Sequence, residues 1–218
     1  MKIIFIIIAI VCIFCPISQA YDDGDFQIWN TDVEEFKIND SLKGTFEEEF
    51  RWGDNAREFF YQHYDVGLVY LLNKTISFGG GYRQVYELKK GKFKEENEPY
   101  LVGTFFADIK GFAFDSRNRF EYRNFDYQKD SWRYRNKFTL KFPWKFTKLD
   151  ISPFVSDELL IGISNRITEL NQNRAYAGLG LNIINNIKAE LYYLFLNTKS
   201  SGNWVKSNVF GTKVKVSF

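Results

Sequence analysis

Hydrophobic and polar residues alternate with a period of two over most of the chain. In the run Arg117 to Arg123, Arg117, Arg119, Glu121 and Arg123 fall on one face, with Asn118, Phe120 and Tyr122 on the other. In the next segment Trp132, Tyr134, Phe138, Leu140 and Phe142 share a face, opposed by Arg133, Arg135, Lys137, Thr139 and Lys141. A helix would scatter these sets around its circumference, whereas a strand separates them. The same reading predicts strands at Lys43 to Trp52, Phe59 to Leu72, Thr75 to Leu88, Tyr100 to Asp108 and Phe112 to Asn124. It continues with Trp132 to Phe142, Asp150 to Gly162, Asn173 to Ile184, Ile187 to Asn197 and Trp204 to Phe218. A further alternating segment, Phe26 to Ile38, precedes these ten. All are longer than the roughly 5–6 residues typical of soluble sheets and close to what a tilted strand needs to cross a bilayer.

The connections are expected to alternate in length. Asn73-Lys74 and Asn185-Asn186 read as tight turns, while Gly91 to Pro99, Asp126 to Ser131, Ser164 to Gln172 and Thr198 to Asn203 read as longer polar loops. Short turns at one end and long loops at the other are the layout of a transmembrane barrel.

The first 20 residues differ from the rest. Lys2 precedes the apolar run Ile3 to Phe14, and Ser18-Gln19-Ala20 supplies small residues at a cleavage site, the pattern of an export signal. A cleaved signal peptide over residues 1–20 and one domain over residues 21–218 are therefore expected, with 21–42 a possible extra N-terminal strand. Both cysteines, Cys12 and Cys15, lie in the leader, so the remaining chain cannot form a disulfide, a zinc thiolate site or a cysteine nucleophile. One histidine, His63, precludes a multi-His metal centre in a single chain. Beyond the leader, 28 basic residues balance 27 acidic ones, which argues against nucleic-acid binding. Aromatics reach 19%.

In a membrane barrel the apolar face points outward and the polar face inward, the reverse of a soluble barrel. Aromatic residues near the strand ends, among them Trp52, Phe60, Tyr64, Tyr70, Tyr86, Trp132, Tyr134, Phe142 and Trp144, fit the interfacial girdles of such a barrel. The chain stops at Phe218, with Val216, Val214, Thr212 and Phe210 on the same face. Phe210, Val214, Val216 and Phe218 thus resemble the terminal strand that barrel-assembly machinery reads in bacterial outer membranes. Bacterial barrels have even strand numbers. The Phe26 to Ile38 segment makes eleven: it is a short periplasmic or lumenal strand, or it pairs partially beside Lys43 to Trp52 through a turn at Asn39-Asp40-Ser41, or two strands elsewhere are merged and the count is twelve.

The runs Glu47-Glu48-Glu49-Phe50-Arg51-Trp52-Gly53-Asp54, Tyr61 to Leu68, Arg117 to Arg123 and Trp132 to Lys137 are similar to a bacterial domain-of-unknown-function family, number 2490. The resemblance covers essentially all of the chain beyond the leader. It implies an outer-membrane barrel and carries no catalytic residue with it.

Candidate chemistry lies in the inward charges. Arg117, Arg119, Arg123, Arg133, Arg135, Lys137 and Lys141 form a basic wall in which Glu121 is the sole acid, and Glu47, Glu49, Asp65, Glu87, Glu158 and Glu190 form an acidic wall opposite. The basic wall would favour anions and, set against the acidic one, give a transverse field in a small pore; alternatively the charges pair and fill the lumen. His63, beside Tyr61 and Asp65 on the inner face, could serve a lipid hydrolase only with a serine in reach, and Ser41 and Ser77 are poorly placed by spacing. Gly79, Gly80 and Gly81 lack the Lys and Ser/Thr of a phosphate loop and suit barrel bending or close lumenal approach.

The expectation is an all-β, antiparallel up-and-down transmembrane barrel of about ten to twelve strands in the bacterial outer membrane. It would be a non-enzymatic structural barrel or narrow pore, without cofactor or metal, in contact with outer-membrane lipids, lipopolysaccharide and the assembly machinery, with no nucleic-acid partner. The alternatives are an outer-membrane lipid or lipopolysaccharide hydrolase using His63, and a soluble periplasmic ligand-binding barrel.

Overall fold

The structure, a computed structural model, describes residues 23–164, 168–200 and 202–218. The expected leader and its cleavage site lie outside them. The strands are β1 (Asp25–Lys37), β2 (Leu42–Gly53), β3 (Glu58–Leu71), β4 (Ile76–Lys89), β5 (Lys92–Ile109), β6 (Phe112–Phe125), β7 (Ser131–Lys141), β8 (Ser152–Ile163), β9 (Thr168–Ile184), β10 (Ile187–Ser200) and β11 (Asn203–Ser217). They close into one barrel in which every sequential neighbour pairs antiparallel.

The count is eleven, and the parity question has an unexpected answer. β1 pairs with β2 along its full length and also with β11, in parallel, from Asp25 opposite Ser207 to Glu35 opposite Ser217. An odd number of strands can close only with one parallel seam, because first and last strands then run the same way. The last residue takes part: the Phe218 N–H donates to Glu35 O at 2.8 Å and its ring stacks on Phe36 at 5.3 Å. Closure leaves no free sheet edge and puts the start of β1 and the end of β11 at opposite ends of the barrel.

The turns explain their own sequences. Asn39 Oδ1 accepts from the N–H groups of Ser41 and Leu42, and Asn73 Oδ1 from those of Thr75 and Ile76, all at 2.8–2.9 Å. These side chains replace a backbone turn, the usual reason for Asn there. Lys90-Gly91 and Lys110-Gly111 carry positive φ at both positions, the conformation that suits two-residue hairpins.

The long loops expected at one end are largely absent. Gly91 to Pro99 is mostly strand: β5 begins at Lys92, and its ladder with β4 runs unbroken from Lys89 opposite Lys92 to Tyr82 opposite Pro99. β9 likewise starts at Thr168 and β10 runs to Ser200. Polar residues facing a polar interior alternate like loop residues in composition but pair like strand residues. The longest described connection, 142–151, lies at the end where the chain stops and is pinned by a Phe146–Ile151 bridge.

The two faces are inverted relative to a soluble barrel. Leu101, Val66, Leu68, Phe105 and Phe138 point out and are largely exposed, Leu101 at 71%, while Glu121, Glu158 and His63 point in and are at most 1% exposed. A smaller apolar cluster of Trp29, Phe154, Tyr176, Tyr192, Leu194, Leu196 and Val209 lines the inner side of β1 and β8–β11. The outer face has polar interruptions. Asn118 Oδ1 accepts from Tyr134 Oη at 2.6 Å and Asn136 Nδ2 at 3.0 Å, and Asn173 donates to Asp157. On β1 and β2 the acids Asp32, Glu34 and Glu48 also stand on the outer side, Asp32 directly opposite Glu48. One aromatic assignment changes: a register shift between Arg51 and Trp52 pairs Trp52 with Phe59, which turns Phe60 into the upper lumen and leaves Phe59 outside against Trp52.

Glycine is required where a lumenal ring crosses the wall. A Cβ on Gly81 would lie 2.4 Å from both Tyr100 Oη and the Val66 carbonyl oxygen, so close lumenal approach accounts for this glycine. Gly81→Ala is expected to lower stability by about 1–3 kcal/mol, the usual cost of overpacking, measured as the urea midpoint of the refolded barrel; an unchanged midpoint would mean Tyr100 does not lie across the wall.

Candidate functional site: the charged lumen

The interior is built by strand alternation alone. Each strand sends every second residue inward, and pairing register sets which of these meet. Gly67 and Gly81 leave room for Tyr100 to lie flat, which lets its hydroxyl donate to Asp65 Oδ1 at 2.6 Å. Asp65 also accepts from Arg83 Nε at 3.0 Å and from Arg119 Nη2 at 3.2 Å. The guanidinium of Arg119 lies 3.4 Å from the centre of the Tyr100 ring, and its Nε is 2.8 Å from Glu121 Oε1, out of line for a hydrogen bond.

From Glu121 the network continues outward in both directions. Arg133 bridges Glu121 and Glu98. Arg135 donates to Glu121 at 3.1 Å and, through Nη2, to Glu158 at 2.8 Å. Glu158 also accepts from Arg117 at 3.1 Å, Arg174 at 3.3 Å and Tyr176 Oη at 3.2 Å. Toward one mouth Arg123 pairs with Glu96.

A second branch runs along β2. Glu47 accepts from Arg83 and Lys213, each at 3.3 Å. Arg51 pairs with Glu49 at 2.5 Å and is sandwiched between the Trp29 and Tyr61 rings at 3.7 and 3.9 Å. His63 bridges the branches: Tyr61 Oη meets Nδ1 at 3.1 Å and Nε2 meets Glu47 at 3.3 Å. A neutral imidazole satisfies both contacts, with Tyr61 donating to Nδ1 and Nε2–H donating to Glu47.

Arg117, Arg119, Glu121, Arg123, Arg133, Arg135, Lys137, Glu47, Glu49, His63 and Asp65 all face this one interior. The division into a basic and an acidic wall does not survive. Arg51 and Arg83 stand among the acids, Arg174 faces Glu158, and Glu96 and Glu98 extend from β5, so acids and bases are interleaved along the same and nearby strands. Glu96 and Glu98 were hidden from sequence reading because their segment has loop-like composition; the signal was the alternation of Lys94, Glu96 and Glu98 with Glu95 and Asn97. Phe210, Val214, Val216 and Phe218 lie apart from the lumen, on the outer side of β11 beside the seam. Among the described residues no group of three or more His, Asp or Glu side chains is arranged to hold a metal ion.

The free space is divided at this layer. Cavities of about 610 Å³ and 370 Å³ occupy the two ends, with about 100 Å³ between them. Arg83, Arg135 and Arg174 border the middle space on the first side, Arg117 and Lys137 on the second. Buried charges of this kind persist only when paired and hydrogen-bonded, and removing one member leaves the others uncompensated. Glu158→Gln is therefore expected to destabilise the folded barrel by about 3–5 kcal/mol, read as a lower urea midpoint; a variant as stable as the wild type would mean that the lumen is wet and its charges solvated.

In comparison with known proteins, the family model described as "Protein of unknown function (DUF2490)" matches residues 26–207. No curated protein matches the chain, and no solved structure matches it.

Proposed function

From the chain's membership of the DUF2490 family, which the match over most of its length establishes, we propose that it is an integral barrel of the bacterial outer membrane whose lumen is obstructed by ion pairs and whose role is non-enzymatic. One observation carries this reading: the closed barrel exposes its large apolar side chains outward and buries its charges inward. Water would favour the opposite arrangement, since exposed apolar surface on this scale is unfavourable, while lipid favours this one. Closure supports it, because every strand finds backbone partners on both sides, as a bilayer requires. The outward Asn118–Asn136–Tyr134 and Asp157–Asn173 groups, bonded to each other, are in the form polar side chains take where water is scarce.

Between structural barrel and open pore, the dense lumenal pairs favour the barrel. Arg83, Arg119 and Arg133 reach past a neighbouring strand to carboxylates on β2, β3 and β5, so ions would have to displace charge pairs to pass. The same geometry supports this reading over the hydrolase one. His63 is only 1% exposed inside the lumen, and its ring nitrogens face Tyr61, Glu47 and Glu49; His63→Ala is expected to leave hydrolysis of labelled phospholipid and lipopolysaccharide at the wild-type level. Phe210, Val214, Val216 and Phe218 present a continuous apolar outward face on β11, the kind of face that barrel-assembly machinery would read.

The parallel seam makes the topology testable. With the end of β11 in the periplasm, cysteines introduced at Asp23 and Gly202 should react with a membrane-impermeant maleimide on intact cells, and those at Asn39 and Asn186 only after the outer membrane is opened. The unboiled chain from outer-membrane fractions should migrate faster than the boiled chain on a gel. Release of the chain by osmotic shock without detergent, or labelling of all four positions alike, would overturn the reading.

A further inference from the structure

The inner face of β6 and β7 places like charges directly opposite one another. Arg117 stands across from Lys137, and Arg119 across from Arg135. Such pairs are destabilising in a sheet, so each needs nearby negative charge. The Arg119–Arg135 pair has it: Asp65, Glu121 and Glu158 all contact one or the other. The Arg117–Lys137 pair has much less. Arg117 uses one donor, Nη2, on Glu158. Lys137, opposite Glu158 on the other neighbouring strand, has no ion pair with any described carboxylate, and its ammonium rests 4.0 Å over the Tyr176 ring. Glu158 is already engaged by Arg135, Arg174 and Tyr176. One carboxylate thus serves three arginines and leaves Lys137 without a contact to it.

A space lies beside this imbalance. The middle cavity of about 100 Å³ is lined by seven Arg and Lys side chains against four Glu, with His63 beside them. With each liquid water taking about 30 Å³, the cavity holds roughly three waters or one tetrahedral oxyanion. Arg117, Lys137 and Lys213, the last also in contact with Glu47, line both this cavity and the 370 Å³ one that leads toward the end where the chain stops, where Lys141 and Lys215 stand among Glu35, Asp115 and Glu190. Arg117 brings a planar fork of five donors and Lys137 three more, the donor set that recognises phosphate-like oxygens.

We propose that Arg117, Lys137 and Lys213 bind a free tetrahedral oxyanion of the phosphate class, which enters from the C-terminal mouth and completes the charge balance of the lumen. The anion takes up the donors that Glu158 cannot reach. This goes beyond the proposed function and rests on the lumen alone, so it stands or falls independently of where the barrel resides.

The test is titration of inorganic phosphate into the folded barrel in neutral detergent at constant ionic strength, followed by calorimetry and by the unfolding midpoint. Saturable binding at millimolar phosphate or below is expected, with a raised midpoint and no response to chloride. Lys137→Gln and Arg117→Gln should each weaken binding at least tenfold while keeping the gel-mobility shift of a folded barrel, and Lys206→Gln, remote from this cavity, should change nothing. Absence of a saturable response in the wild type overturns the proposal whatever the variants do. So does binding that survives Lys137→Gln unchanged, or binding of a short-chain phosphatidic acid with none of inorganic phosphate, which would assign the site to a lipid headgroup.

Discussion

Burial of charge inside a closed sheet is the constraint on which this structure depends. Eleven strands enclose a space too narrow to leave their inward Arg, Lys, Asp and Glu side chains fully hydrated, so these charges must find partners on their own and nearby strands. Asp65, Glu121 and Glu158 are the nodes where this happens. The glycines follow from it: Gly67 and Gly81 give Tyr100 the room to reach Asp65. The division of the lumen into end cavities and a constricted middle follows as well. Even the apolar cluster around Trp29 is tied in, because Arg51 stacks on its ring while pairing with Glu49.

The same constraint ties the two faces together. Once the charged set points inward, period-two alternation sends the aromatic and aliphatic set outward. The outer surface is then a consequence of the inner one, and a lipid environment is the medium in which both arrangements are favourable. The exception is instructive. The outward acids Asp32, Glu34 and Glu48 gather on β1 and β2, next to the parallel seam, where the alternation of β1 places Trp29, Thr31 and Val33 in the lumen. Here the inward set contains a large indole, and the outer set is correspondingly polar.

Much of this was legible in the residues. The alternation around Arg117 to Arg123 and Trp132 to Lys141 placed the network's central strands and identified which side chains share the interior. What failed was whatever depends on the choice of partner. Nothing local in Phe26 to Ile38 states that it pairs with the last strand in parallel as well as with Leu42 to Gly53. The polar start of β5 looked like a loop because strands facing a charged lumen do not carry the β-branched and apolar residues by which strands are usually recognised, and with it Glu96 and Glu98 were missed. The inward turn of Phe60 depends on a register shift opposite Trp52, which period counting cannot anticipate. The two-wall picture failed for a related reason: charges on one strand can be assigned a face from sequence, but their partners lie on strands whose register is settled only by closure.

The account turns on which side of the wall meets lipid. The most direct measurement is the accessibility of a nitroxide label on a cysteine substituted at Leu101, the most exposed of the large outward side chains at 71%, in outer-membrane vesicles. The account predicts that molecular oxygen, which concentrates in lipid, relaxes this label far more effectively than a water-soluble nickel chelate. Dominant relaxation by the chelate would contradict it, since the outer face would then be in water and the barrel would not be a membrane protein.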